Sequence, residues 1–438
     1  MSRSAAGAMN SAQFEQELMQ AVRRHSLFWL AAANIVGVWL ALLLAHPEWG
    51  AILGEYSYGR WMPLHLNWQL YGWCSLPSIG LLFRTYLIPG AAALAQARQA
   101  LRMWSLTLAL GGLGWLNGGT SGKLFLDWIG LPRWMLVATL GLLWVILAWN
   151  YWKPVRNSDL PPAIRTAGKT SALVALAVVP AVLFWSTLRR IYPAIDPGTG
   201  GPTGSSLLGS TLVIVLILAL TPKALSLSKR NGVRELWFWV LFVADGLLFL
   251  ALSHANSSHR DWRQIAGMGS LMIWTPMLAH HLRCFIWAPA SRLWLSATIA
   301  WWALLVVSGF SGFLPGILDR LKFTHGLVAH AHLAMGGLLM SYNMLLLVNL
   351  SDAGARVSDI LASRPAFVFW QAGLTFHMVA LMGIAGEEIK NPGRFFSGGA
   401  VWLFWMRFIA GAVMAAVSIF WAWRVGVLKE PPENVHHA

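Results

Sequence analysis

The sequence predicts an all-α, polytopic membrane bundle of about twelve transmembrane helices. Three observations predict it. Of the 438 residues 57% are apolar and only 11% charged, too apolar for a soluble domain of this length. Almost every window of about 20 residues bounded by basic or Pro/Gly-rich stretches is long enough to cross a hydrocarbon core of roughly 30 Å. The basic residues between those windows favour one side of the bundle, as the positive-inside rule requires.

In chain order, the first window is 26–46, after Arg23 and Arg24. Windows 61–83, 100–118 and 134–152 are closed or opened by Arg84, Arg98 and Lys153, and 170–188 lies between Lys169 and Arg189. The Pro/Gly-rich PAIDPGTGGPTG run within Ile191 to Gly204 is the longest expected extramembrane loop and leads into 205–222. Then come 235–253, 264–287, 292–313, 324–349, 365–386 and 399–423. A cytoplasmic N-terminus places Arg23, Arg24, Arg84, Arg98, Arg102, Lys153, Arg156, Arg165, Lys169, Lys223, Lys229, Arg230 and Arg234 inside, with far fewer basic residues outside. The expectation is a multi-pass protein of the cell inner membrane with both termini cytoplasmic. Residues 1–24 contain Gln13, Glu15, Glu17 and Gln20 and no apolar stretch, so they form a cytoplasmic lead-in and not a cleavable signal. Residues 25–424 form a single membrane domain, and 425–438 a cytoplasmic tail.

The formal charge of +15 does not point to nucleic acid, because the basic residues are scattered singly through short loops. Cys74 and Cys284 lie far apart within spans, with no disulfide or zinc spacing, and are expected to be inert packing thiols. Many of the tryptophans stand near span ends, among them Trp49, Trp61, Trp128, Trp134, Trp262 and Trp402, as interfacial anchors do. No internal repeat or matching pair of broken helices supports a transporter.

Ionisable groups inside a membrane are expensive and therefore informative. Here they are mostly histidines: His65, His254, His280, His281, His325, His330, His332 and His377 lie in or at the edge of spans. His25, His46, His259, His436 and His437 read as interfacial or loop-borne, and His377 as a helix-to-helix hydrogen bonder. The densest cluster is THGLVAHAHLAMG, Thr324 to Gly336. Two residues apart on a helix is about 200° of rotation, so His330 and His332 cannot share a metal, but each can ligate a haem on its own side. A low-spin haem iron needs a second axial ligand at similar depth. His65, a few residues below the outer end of its span, supplies it.

With those residues in view, the AHPEW end of the first span, GRWMPLHLNW, GGTSGKLFLDW, RDWRQIAGMGSLMIWTP and VAHAHLAMGG resemble subunit I of the haem-copper oxidases. The C-type (cbb-type) enzymes are most similar, and THGLVAHAHLA also resembles the nitric oxide reductase large subunit. The resemblance runs from the first span to Arg424. It implies a subunit I-like fold, His65 and His332 as ligands of a low-spin haem b, and His330 as the ligand of a second, high-spin haem.

The pattern breaks at the second metal. The family holds it with a histidine in helix 6 and an adjacent pair at the end of helix 7, yet no histidine occurs between His65 and His254. Ala251, Leu252 and Ser253 stand near the pair, and Asp245 at the position of the family's active-site tyrosine. Copper is therefore not expected. The His280–His281 pair lies near the inner end of its span, about 15 Å in depth from His330, too far to share a metal with it, and reads as packing or interface. Asp245 is a weak catalytic candidate, with two readings open: a proton-relay carboxyl or unusual metal ligand, and a protonated, hydrogen-bonded packing residue. Arg407 and the Glu387–Glu388 pair are placed to meet haem propionates or each other, and only Arg407 is deep in its span.

Three functions follow. The first is electron transfer by a haem-containing subunit working with a cytochrome c-type or other respiratory partner in the lipid bilayer. The second is oxidoreductase activity, an O2 or NO reductase whose distal metal uses residues such as Asp245 and His254; their spacing, about two and a half turns, puts them on opposite faces. The third is a haem-based sensor or assembly subunit.

Overall fold

The computed structural model describes residues 10–153, 166–230, 235–350, 355–391 and 400–427. Arg156, Arg165, Arg234, His436 and His437 lie outside them. Among the described residues the chain is all-helical, with no strand and two isolated β-bridges, Ile195 with Pro202 and Lys229 with Phe285. It is a multi-pass membrane bundle. Eight of its helices are long and apolar enough to cross a membrane: Ser11–Ala45, Gly130–Trp152, Ala167–Ser186, Gly204–Ala224, Pro289–Phe313, His325–Asn349, Val357–Lys390 and Val401–Val427. The other four expected spans also fall on helix. One carries Arg98 and Arg102, one is only Leu236–Ala251, and two are interrupted by other helix types.

The helices that position the site are α1 (Ser11–Ala45), α2 (Tyr58–Asn67), α3 (Leu76–Tyr86), α4 (Arg292–Phe313), α5 (His325–His332), α6 (Met340–Asn349), α7 (Arg364–Lys390) and α8 (Val401–Val427). Asn10 caps α1 by accepting from Gln13 N, so the second half of the expected lead-in is continuous with the first span. Helix α1 packs along α8, and α8 along α7. Two π-helical segments, Trp68–Cys74 and Leu333–Leu339, join α2 to α3 and α5 to α6, and they touch each other.

Each π segment exists because neighbours claim its carbonyls. In the first, Trp104 Nε1 donates to Tyr71 O (2.7 Å), Asn343 Nδ2 to Trp73 O (3.1 Å) and Ser75 Oγ to Leu70 O (2.8 Å). In the second, Trp370 Nε1 donates to Gly336 O (3.0 Å). A widened turn surrenders regular ladder bonds, which in an apolar interior must be replaced by side chains. One turn earlier, Pro63 interrupts the ladder of α2, and Asn67 Nδ2 donates back to its carbonyl at 2.8 Å.

Three connecting loops are tied together beyond the helices. His259, only 2% exposed, lies between Asp196 Oδ2 (2.6 Å from Nδ1) and Asp319 Oδ1 (3.3 Å from Nε2). Arg260 Nη2 donates to Asp319 (2.9 Å), and Lys322 Nζ to Gly198 O (3.0 Å). The sequence alone predicts only a loop position for His259; in the fold it is the clasp of three loops. Burial alone raises the Asp196 carboxyl, but hydrogen bonds from Gly198 N–H, Thr199 and His259 hold it below the ordinary aspartate value. Its ionised form therefore stabilises the fold above the ordinary aspartate range, and this contribution is lost as pH falls through the depressed value. His259→Ala is expected to cost about 2–3 kcal/mol by leaving a buried carboxylate short of a partner. The check is a fall in apparent melting temperature of the detergent-solubilised protein, with acid unfolding shifted to higher pH.

Lys123, also enclosed, donates to the carbonyls of Ser186 (2.8 Å), Leu188 (2.6 Å) and Ile191, closing the exposed end of the helix that terminates at Ser186. Burial lowers its pKa.

Candidate functional site

A cavity of about 310 Å³ lies where α1, α2, α5, α7 and α8 meet the two π segments. Its wall is mostly apolar, with Met62, Met335, Met340 and Met414 among the lining side chains. The polar exceptions include His65, His332, His377, Arg407, Tyr58, Asn34 and Gln69. Gln69 Nε2 donates to Asn34 Oδ1 at 2.7 Å, and Asn34 Nδ2 is enclosed without a partner.

His65 and His332, separated by 267 positions in the numbering, thus line one cavity. Each is followed within three residues by a π segment, a distortion that recurs at functional sites. Their tautomers follow from their partners. His65 Nδ1 is 2.7 Å from Ala33 O and His332 Nδ1 is 2.8 Å from Val328 O. A carbonyl only accepts, so Nδ1 carries the proton and Nε2 the lone pair in both rings. That is the form in which a histidine ligates a metal, and the backbone partner fixes the ring.

Gly37 makes this possible for His65. A Cβ there would stand 2.6 Å from His65 Cε1 and 3.0 Å from Nδ1, so only glycine leaves the ring room to reach the Ala33 carbonyl. Gly411 lines the same cavity, but its added Cβ meets only Val38 at an ordinary 3.8 Å. Gly37→Ala is expected to displace the imidazole, at a cost of about 1–3 kcal/mol, whereas Gly411→Ala is expected to be neutral. Parallel thermal unfolding of the two variants checks this.

Arg407 in α8 is 6% exposed and lines the cavity, and Nε and Nη1 have no hydrogen-bond partner. Tyr58 and Glu388 are its polar neighbours. Glu388 is occupied by His325, accepting from its backbone N–H (2.7 Å) and approaching Nδ1 at 2.6 Å. Glu387 instead faces Lys390 at 3.8 Å. A buried cation with unused donors beside an apolar cavity is a site for an anionic group.

No family model and no curated protein matches the chain.

The remaining predicted residues lie elsewhere. His330 does not line the cavity; its Nδ1 is 3.2 Å from Ser308 Oγ and its ring lies against Gly309 of α4, so the two histidines of α5 do diverge. Asp245 is buried and accepts from Trp274 Nε1 at 2.6 Å. His254 is exposed and stacks edge-on against Phe249. His280 is exposed, while His281 is buried, stacked on Phe238 and bonded through Nε2 to Ala219 O (3.0 Å). Among the described residues, no group of three or more His, Cys, Asp or Glu side chains is placed to hold a metal ion. Both cysteines are free thiols: Cys74 lines a second, apolar cavity of about 280 Å³, and Cys284 lies 3.1 Å from His280 O.

His377 is the helix-to-helix hydrogen bonder the sequence predicts, through the Arg407 carbonyl of α8; its place in the cavity, with those of Tyr58 and Gly37, is what sequence reasoning missed. For His377 there was a usable signal. Counted from the outer ends of the expected spans, it and His332 both lie about 12–13 Å down, the depth argument that selected His65. Tyr58 and Gly37 carried none.

Proposed function

We propose that the chain is a b-type haem-binding integral membrane subunit of a respiratory complex, related to subunit I of the haem-copper oxidases, that transfers electrons through a low-spin haem held by His65 and His332. One observation carries this reading: two histidines remote in sequence line one apolar cavity, each with its proton fixed on Nδ1 by a backbone carbonyl.

The residues present fit a haem. A macrocycle has two apolar faces and a pair of carboxylates, and the cavity offers an apolar wall of methionines with the unused Nε and Nη1 of buried Arg407. When bound, the haem supplies a one-electron couple. His65 and His332 would hold its iron, and the carbonyls of Ala33 and Val328 would raise their basicity and keep the rings in place. Arg407 would meet a propionate, while Glu388, already engaged by His325, fixes the outer end of α5 against α7. The apolar lining keeps water from the ligands.

His330, set on the other side of α5 against α4, is the residue we assign to a second, high-spin haem. The twelve-span topology, the inner membrane, the cytoplasmic termini and a cytochrome c-type or other respiratory partner belong to the same proposal.

The test is a reduced-minus-oxidised spectrum of the purified protein, with haem extraction, carbon monoxide binding and a metal count on the same sample. A low-spin b-type signal is expected, with no stoichiometric copper or non-haem iron. Absence of haem would sink the proposal, and about one equivalent of a non-haem metal would favour a reductase instead.

A further inference from the structure

His377 is 5% exposed, and its Nδ1 is 3.3 Å from the Arg407 carbonyl, which can only accept. Its lone pair is therefore on Nε2, as in His65 and His332, and that atom is enclosed without a partner. A native protein rarely leaves a buried acceptor unpaired, and an absent ligand is one of the standard reasons. The residue lines the same cavity, and its ring centroid is 4.7 Å from that of His332, with planes 37° apart.

We propose that His377 is a second residue able to ligate a haem iron in this cavity, an alternative to His332 as the partner of His65. The inference rests on the haem reading above. The two rings stand too close to hold one iron from opposite sides, because each would bond it through Nε2 at roughly 2 Å and their centroids, 4.7 Å apart, would have to lie farther apart than that. They would act as alternatives, either one pairing with His65.

The experiment compares full-length wild type with His332→Ala, His377→Ala and the double variant, reading low-spin ferric haem per chain by electron paramagnetic resonance. Wild type and His377→Ala should agree in low-spin content. His332→Ala should retain a low-spin signal within about two-fold of wild type, with altered g values. The double variant should lose at least about ten-fold, and added imidazole should restore it. A haem-loaded His332→Ala that is high-spin with His377 intact would overturn the inference while leaving the bis-histidine proposal standing. So would a sixth ligand identified as methionine by its sulfur-to-iron charge-transfer band. If His332→Ala does not fold, His332→Gln, which fills the same volume, is read by the same criterion. Wild type without haem would overturn both proposals.

Discussion

His65→Ala is expected to remove the low-spin haem signal almost entirely, by at least about ten-fold, while much of the macrocycle stays bound. Among the side chains lining the cavity, His332 and His377 stand together, and α1 and α2 offer no imidazole besides His65. Asn34 and Gln69 are hydrogen-bonded to each other and are poor ligands for iron. Among the lining side chains the other ligand types are methionine, with Met62 the nearest in sequence, and the phenol of Tyr58. The apolar wall still buries the macrocycle, so haem-to-protein ratio should fall less than low-spin content. Electron paramagnetic resonance and haem extraction on one sample separate the two, and added imidazole should restore the low-spin signal. Unchanged low-spin content would remove His65 from the ligand set.

Arg407→Met should act with opposite sign on the loaded and the empty protein. In the empty protein, the guanidinium is buried with two nitrogens unpaired, a desolvation cost that an apolar side chain of similar length avoids. The apoprotein should therefore melt at the same temperature or higher. In the loaded protein, the same change leaves a propionate without its partner, at a cost of about 2–4 kcal/mol, or roughly 30- to 1000-fold in haem affinity. Haem titration into the apoprotein, with thermal unfolding of both forms, checks the pair of signs. A drop in both stabilities would mean that Arg407 is a structural cation satisfied by Tyr58 and Glu388.

Much of this was legible because the bilayer simplifies the code. Apolar windows of the required length mark helices directly, and all twelve fall on helix. The divergence of His330 and His332 follows from helical rotation alone, and the meeting of His65 and His332 at one cavity from depth. What could not be read depends on contacts across long stretches of chain. His259 meets Asp196 and Asp319 from 63 and 60 positions away, with no periodicity to announce it. The role of Gly37 is invisible until His65 is seen lying over it. Asp245 kept two readings open, and its bond to Trp274 supplies the partner that a buried carboxyl needs.

The π segments have a consequence for how these helices transmit movement. A π turn holds one residue more than an α turn, so everything beyond it is rotated by roughly 100° relative to an unbroken helix. The stripe facing lipid outward of Trp68 or Leu333 is thus out of phase with the stripe inward of it. Because Trp104 and Trp370 bind each discontinuity to a neighbouring helix, the histidine-bearing half of each rod is anchored laterally as well as lengthwise. Displacement of an inner loop should then be absorbed at the widened turn, leaving the ring orientations of His65 and His332 insulated from events on the opposite membrane face.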